Sequence, residues 1–211
     1  MKITKPELKS MLVIILLFGF SLYLYNKVPL RIPIHWDLNG EADAYSARAA
    51  RLFLIPICAL IVYIILTAVP KIEIFRRSLT SFKKKYENIK IILIVFFVLI
   101  YTATIVHIFY PFNIYYVVAP AILALLYYIG YSVQFIQRNY FIGIKTPWTL
   151  DSGYVWKKTH ELGSLLFRGI AVAMGGLIFL PEYFWMSLII LFVLAVICLF
   201  VYSYVLHKNR I

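Results

Sequence analysis

The chain has 211 residues, 63% of them hydrophobic and only 14% charged, with a net charge of +12. Soluble domains carry about 25% charged and 45–50% apolar residues, and a chain of this size cannot hide so much apolar surface from water. A water-soluble enzyme is excluded, and so is a disordered chain, which needs more polarity than is present. The positive charge bears first on orientation and lipid contact, with no direct nucleic-acid binding implied. Cys58 and Cys198 lie inside apolar runs and read as small buried hydrophobes rather than a disulfide framework.

A spanning helix needs about 20 mostly apolar residues. Residues 11–26 and 52–70 are uncharged, and so is the stretch 91–137. As one helix that stretch would be about twice the bilayer thickness, so it must turn back, and Tyr110-Pro111-Phe112-Asn113 is the break. Region 169–206 repeats the pattern around Pro181-Glu182. Six spans result, at about 7–27, 52–70, 89–109, 114–136, 162–180 and 183–206. The fold class is an all-α integral membrane protein with six transmembrane helices, because lipid satisfies no backbone hydrogen bond. Residues 1–70 form an N-terminal helix pair and 71–211 a four-helix region, within one compact unit.

The first span follows Lys2, Lys5 and Lys9, as a signal peptide would, but no small-residue cleavage site comes after it. It reads as a retained anchor with Tyr23 and Tyr25 at the interface, entered through a capping box at Thr4-Lys5-Pro6-Glu7. Sixteen Lys and Arg residues fall on the side of both termini and four on the other, which places both termini in the cytoplasm. The run Lys83-Lys84-Lys85, with Arg76 and Arg77, suits anionic lipid. Gly169, Ala171, Ala173 and Gly175 give the fifth span a small-residue face for close helix packing.

Two segments are too patterned to be plain connections. The first, 31–45, lies outside, between spans one and two. Asn39-Gly40 signals a two-residue hairpin turn, and the flanks alternate, with Ile32, Ile34 and Trp36 on one face and His35 and Asp37 on the other. It reads as a short extracytoplasmic hairpin that packs on helix ends. His35, Trp36, Asp37, Asn39, Glu41 and Asp43 are its candidate ligand-binding residues. Imidazole with carboxylates suits a metal, but Gly40 is misplaced for a calcium loop, so no metal is assigned.

The second segment, 139–163, lies inside. Thr146-Pro147 forces an extended or turn geometry, and Asp151 or Ser152 caps a helix running into span five. Trp156 and His160 share a face of that helix, as do Thr159 and Gly163, and Trp148 and Trp156 belong at headgroup level. Asn139, Gly143, Lys145, Thr146, Pro147, Trp148, Thr149, Trp156 and His160 are candidates for partner docking or switching. Catalytic motifs are missing from the sequence, no cofactor is implied, and His107 reads as an interfacial histidine satisfied by water. A binding or signalling protein is the first reading; a transporter or small membrane enzyme acting on a peptide or lipid is the alternative.

The first segment, Ile32-Pro33-Ile34-His35-Trp36 with Asn39-Gly40-Glu41-Ala42-Asp43, resembles the outer motif of the SdpI family of bacterial immunity proteins. The second, Asn139, Ile142-Gly143-Ile144-Lys145-Thr146-Pro147-Trp148-Thr149-Leu150, Val155-Trp156, Thr159-His160 and Gly163, is similar to that family's inner signature. Lys145 stands where the family has arginine, which weakens any bidentate anion contact, and Ala42 where it has proline. The resemblance implies a multi-pass protein of the bacterial cytoplasmic membrane, bathed in membrane lipids. It further implies protection against a secreted toxic peptide and recruitment of an ArsR-like repressor to the cytoplasmic face.

Overall fold

The structure, a computed structural model, describes residues 5–37, 40–71 and 82–209. Thr4 of the expected capping box, Asn39, Arg76 and Arg77 lie outside the described residues. In chain order the elements are α1 (Lys5–Leu24), β1 (Arg31–Trp36), β2 (Ala42–Ala47), α2 (Arg48–Ala68), α3 (Lys83–Phe109), α4 (Tyr115–Val133), α5 (Pro147–Asp151), α6 (Gly153–Gly175) and α7 (Pro181–Lys208). Single 3₁₀ turns, Val69–Lys71 and Gly176–Phe179, extend α2 and α6. Every helix but the short α5 is long and apolar enough to cross a membrane, six in all among the described residues. The protein is a multi-pass membrane protein.

Helix ends move relative to the hydropathy reading where charged residues join a helix. α2 takes in Arg48 and Arg51, and α3 begins at Lys83. Lys85 is drawn in by Tyr131: its Nζ donates to the phenol at 2.8 Å and sits over the Tyr131 and Phe135 rings.

The packing divides the chain into two units, residues 1–67 with 90–121 and residues 68–89 with 122–211. The sequence reading divides it at 70/71; packing instead groups 90–121 with the N-terminal helices. In the first unit, Leu17 and Leu24 of α1, Val28, Ile32 of β1, Leu52 and Ile55 of α2, and Tyr101 and Ile105 of α3 form one buried cluster. A smaller one joins Ile14, Ala59 and Ile94. Polar side chains inside this unit are tied to partners. Ser21 Oγ donates to the Leu52 carbonyl at 2.8 Å and pairs with the Tyr101 hydroxyl at 2.7 Å. Glu7 and Lys90 form a buried ion pair at 3.3 Å.

In the second unit, Gly163 of α6 meets Leu199 of α7, and Phe167 stacks on Phe192 with centroids 5.7 Å apart. The partner number falls as the first rises, so the two helices run antiparallel. Close helix approach occurs at Gly130, while at Gly163 the loop residue Ile144 crowds in; of the expected small-residue face, Ala171 is buried and Gly169 exposed. A Cβ at Gly130 would meet Phe167 and the Arg168 backbone, whereas one at Gly169 or Gly175 would meet nothing within 4 Å. Lipid is as apolar as a helix neighbour, so a stripe of small residues does not by itself say which it faces. For the same reason the cysteines are not fully buried: Cys58 is half-buried and Cys198 exposed.

Candidate functional site

The first-unit candidate is built on the hairpin. β-branched and aromatic residues favour the extended chain of β1, and β2 pairs with it antiparallel, Arg31 opposite Ala47 and Trp36 opposite Ala42. The Asp37 N–H donates to the Glu41 carbonyl at 2.8 Å, and the Gly40 N–H to the Asp37 carbonyl at 3.0 Å. These two bonds close the hairpin between Asp37 and Glu41; the expected Asn39-Gly40 turn includes Asn39, which lies outside the described residues. Gly40, at φ +83°, takes a left-handed backbone that favours glycine, and a Cβ there would run into Asn113 Oδ1.

The simple alternation also fails. Register shifts flank His35, so Ile32 is 1% exposed while Ile34, expected on the same face, is 39% exposed. Pro33 lacks the N–H of a regular ladder and is tolerated at such irregularities.

These shifts sort the predicted ligand residues. His35 Nδ1 and Asp43 Oδ1 pair at 2.6 Å, both side chains well exposed. Asp37 Oδ1 accepts from the Glu41 N–H at 2.9 Å and so stiffens the turn. Trp36 points back into the unit, where its indole N–H donates to His107 Nε2 at 3.3 Å with the rings edge to face. His107 Nδ1 lies 2.9 Å from the Phe112 carbonyl, which can only accept. The proton therefore sits on Nδ1 and the Nε2 lone pair receives Trp36. His107 is thus satisfied by protein, not by the water expected for it. On the far side of Trp36 stands the Arg51 guanidinium, 5.2 Å from the ring, with one N–H on Thr104 Oγ1 at 3.2 Å. Arg51 is buried, and its Nε has no hydrogen-bond partner.

Beside the hairpin lies an open cleft of about 580 Å³, lined by Arg31, Pro33, Glu41, Tyr45, His107 and Phe112 among others. Among the described residues of the predicted set, Glu41 alone lines it. The signal that could have found the cleft is the Pro111-Phe112-Asn113 break, which supplies its far wall. Among the described residues no group of three or more His, Cys, Asp or Glu is placed to hold a metal ion.

The second-unit candidate is a knot of hydrogen bonds. Asn139 is buried; its Oδ1 accepts from the N–H groups of Phe141 and Ile142, both at 2.8 Å, and its Nδ2 donates to Gln137 and Ile142 carbonyls. Thr146 caps α5: its Oγ1 accepts from the Thr149 N–H at 3.1 Å, and Thr149 Oγ1 accepts from the Thr146 N–H at 2.8 Å. Pro147 fits at the first helical position, where no N–H is needed. Ser152, one of the two expected caps, accepts from Val155 at the start of α6.

His160 closes the knot. Its Nδ1 donates to the Trp156 carbonyl at 2.8 Å, and its Nε2 accepts from the Ile144 N–H at 3.0 Å. Trp156 stacks on it at 4.1 Å and donates from Nε1 to the Ile136 carbonyl at 2.7 Å. Gly143, at φ +127°, lets the loop pass; a Cβ there would lie 2.6 Å from His160 Nε2. The whole loop is pinned to α7. Thr146 Oγ1 donates to Ser203 Oγ at 3.0 Å, and Trp148 packs on Phe200 and Tyr204 with centroids 4.9 and 5.0 Å away. His207 and Asp151 pair at 2.7 Å.

Trp156 is therefore buried inside the unit, and Trp148 is half-buried against α7. Lys145 and Pro147 are the exposed members of the predicted set, and Lys145 Nζ lies over the Tyr140 and Phe141 carbonyls. Sequence reasoning missed Phe200, Ser203, Tyr204 and His207. They sit in or beside an apolar span whose composition says nothing of which turn faces a loop.

Comparison with known proteins follows these two segments. Residues 136–204 match the SdpI/YfhL protein family, and residues 12–69 match a domain of unknown function, DUF1648. The chain is similar to the SdpI/YfhL family over this C-terminal region. Along its full length the chain is similar to the immunity protein SdpI of Bacillus subtilis (strain 168), 28% identical over 97% of both chains. No solved structure matches. The SdpI/YfhL match contains the α5 knot, the start of α6 and the Phe200–Tyr204 stripe that holds them; the DUF1648 match contains the hairpin.

Proposed function

We propose that this is an immunity protein of the bacterial cytoplasmic membrane, which protects its cell against a secreted toxic peptide by binding rather than catalysis. The observation that carries this reading is the similarity to an immunity protein along almost the whole of both chains. Both termini lie in the cytoplasm in this reading, supported by the sixteen-to-four distribution of Lys and Arg. The hairpin then faces outward. Its cleft, with apolar walls and both an arginine and a glutamate, suits a peptide carrying charged and apolar groups.

Peptide binding at the hairpin biases the packing of the protein only as far as it favours one state over another. The second segment lies at the cytoplasmic face in this reading. Its exposed Arg138, Lys145 and Lys157 are the residues offered to a repressor of the ArsR-like kind, and the buried members fix the loop that presents them.

The test is expression in a bacterium sensitive to the toxic peptide made by the source organism. The wild-type chain is expected to restore growth. Glu41→Lys and Tyr45→Ala, both lining the cleft, are expected to lower protection at unchanged protein level. Full sensitivity with wild-type protein in the membrane overturns the immunity reading; full protection by both variants overturns the placement of the peptide.

A further inference from the structure

A second, smaller cavity is found in the first unit, away from the hairpin. It is a groove of about 400 Å³ lined by Lys9, Ser10 and Val13 of α1 and Ile91, Ile94, Val95 and Val98 of α3. The α3 residues recur at helical spacing, so they make one continuous apolar wall, about 10 Å long at 1.5 Å per residue. Val95 and Ile91 are exposed along it, so the groove opens sideways, where a spanning helix meets acyl chains. Its polar residues, Lys9 and Ser10, are both on α1 near its N-terminal end.

Charge decides what fits. Glu7, the acidic residue in the first turn of α1, is buried in its ion pair with Lys90, so it does not neutralise Lys9. Lys9 is exposed and makes no ion pair among the described residues. Among the described residues the groove therefore presents one cation at an end and a hydrocarbon wall beyond it. That is the complement of an amphiphile with an anionic head, and a lysine near the membrane surface attracts such heads.

We propose that this groove is a binding site for one anionic phospholipid, its phosphate on Lys9 and one acyl chain along Ile91, Ile94, Val95 and Val98. The bound chain fills the space between α1 and α3 and completes the packing of that end of the first unit.

The experiment is native mass spectrometry of the full-length protein in detergent, titrated with phosphatidylglycerol or phosphatidylcholine. One lysine near the surface corresponds to about a fivefold preference. Wild type and Lys9→Arg are expected to retain one phosphatidylglycerol about fivefold better than phosphatidylcholine, and Lys9→Gln to retain both equally. Val95→Trp, which fills the groove, is expected to lose that lipid of either kind. Lys83→Gln with Lys84→Gln tests the other basic cluster and is expected to keep the preference. An undiminished preference in Lys9→Gln, full retention in Val95→Trp, loss of the preference in the Lys83/Lys84 variant, or a co-purified peptide in place of lipid would each overturn the proposal.

Discussion

The hairpin of the first unit and the loop of the second are both short, irregular and patterned, yet they are built on opposite principles. In the hairpin His35 and Asp43 look outward and pair with each other in water, while Ile32 and Trp36 anchor the strand, Trp36 through His107. In the loop the polar side chains look inward, and Asn139, Thr146, Thr149 and His160 spend their hydrogen-bonding capacity on nearby backbone or on α7. The same kind of residue thus faces water in one place and serves as fastening in the other. A polar residue in a patterned segment does not announce which role it has; the partner within reach decides.

If that contrast holds, substitutions in the loop should act on stability and substitutions in the hairpin on recognition. The sharpest break is Gly143→Ala. It forces a side chain into a left-handed backbone and against His160 and Trp156, and it should destabilise the second unit by about 3 kcal/mol, read as a lowered Tm in detergent. A variant that melts like wild type would refute the knot.

Next comes His160→Phe, which keeps the stack on Trp156 but leaves the half-buried Ile144 N–H without an acceptor. A loss of about 2 kcal/mol is expected, with faster tryptic cleavage after Lys145. Thr149→Val removes the acceptor for the Thr146 N–H at the same fold and should lose about 1–2 kcal/mol.

On the hairpin side, Trp36→Phe keeps the ring and removes one hydrogen bond. About 1 kcal/mol is expected, seen as faster amide exchange in β1 with an unchanged second unit. Least of all, His35→Ala breaks an exposed pair and should shift stability by less than about 0.5 kcal/mol. If His35 meets the peptide, it lowers protection without touching Tm; if it does neither, His35 leaves the candidate site.

Much of this was legible in the sequence where the membrane dictates the answer. Lipid forces uncharged runs into helices, so the six spans and the Pro111 and Pro181 breaks could be read directly. The start of α6 was legible too, with Ser152 one of the two expected caps, because capping is local chemistry; the short α5 before it was not. What could not be read depends on distant pairing. The bulge around His35 turns Ile34 outward, and an alternating pattern cannot report a skipped residue. The partner of His160 is a backbone N–H, which has no letter in the sequence. The seat of Trp148 is an ordinary apolar stretch of α7, indistinguishable by composition from the turns on either side.

That seat sets the manner in which the loop can respond. Phe200, Ser203 and Tyr204 lie on one stripe of α7 within little more than a turn, and Trp148 and Thr146 engage all three together. Sliding α7 along its axis by a single turn, about 5.4 Å, would carry every one of them out of reach at once. The latch is either shut or open, with no half-engaged setting between.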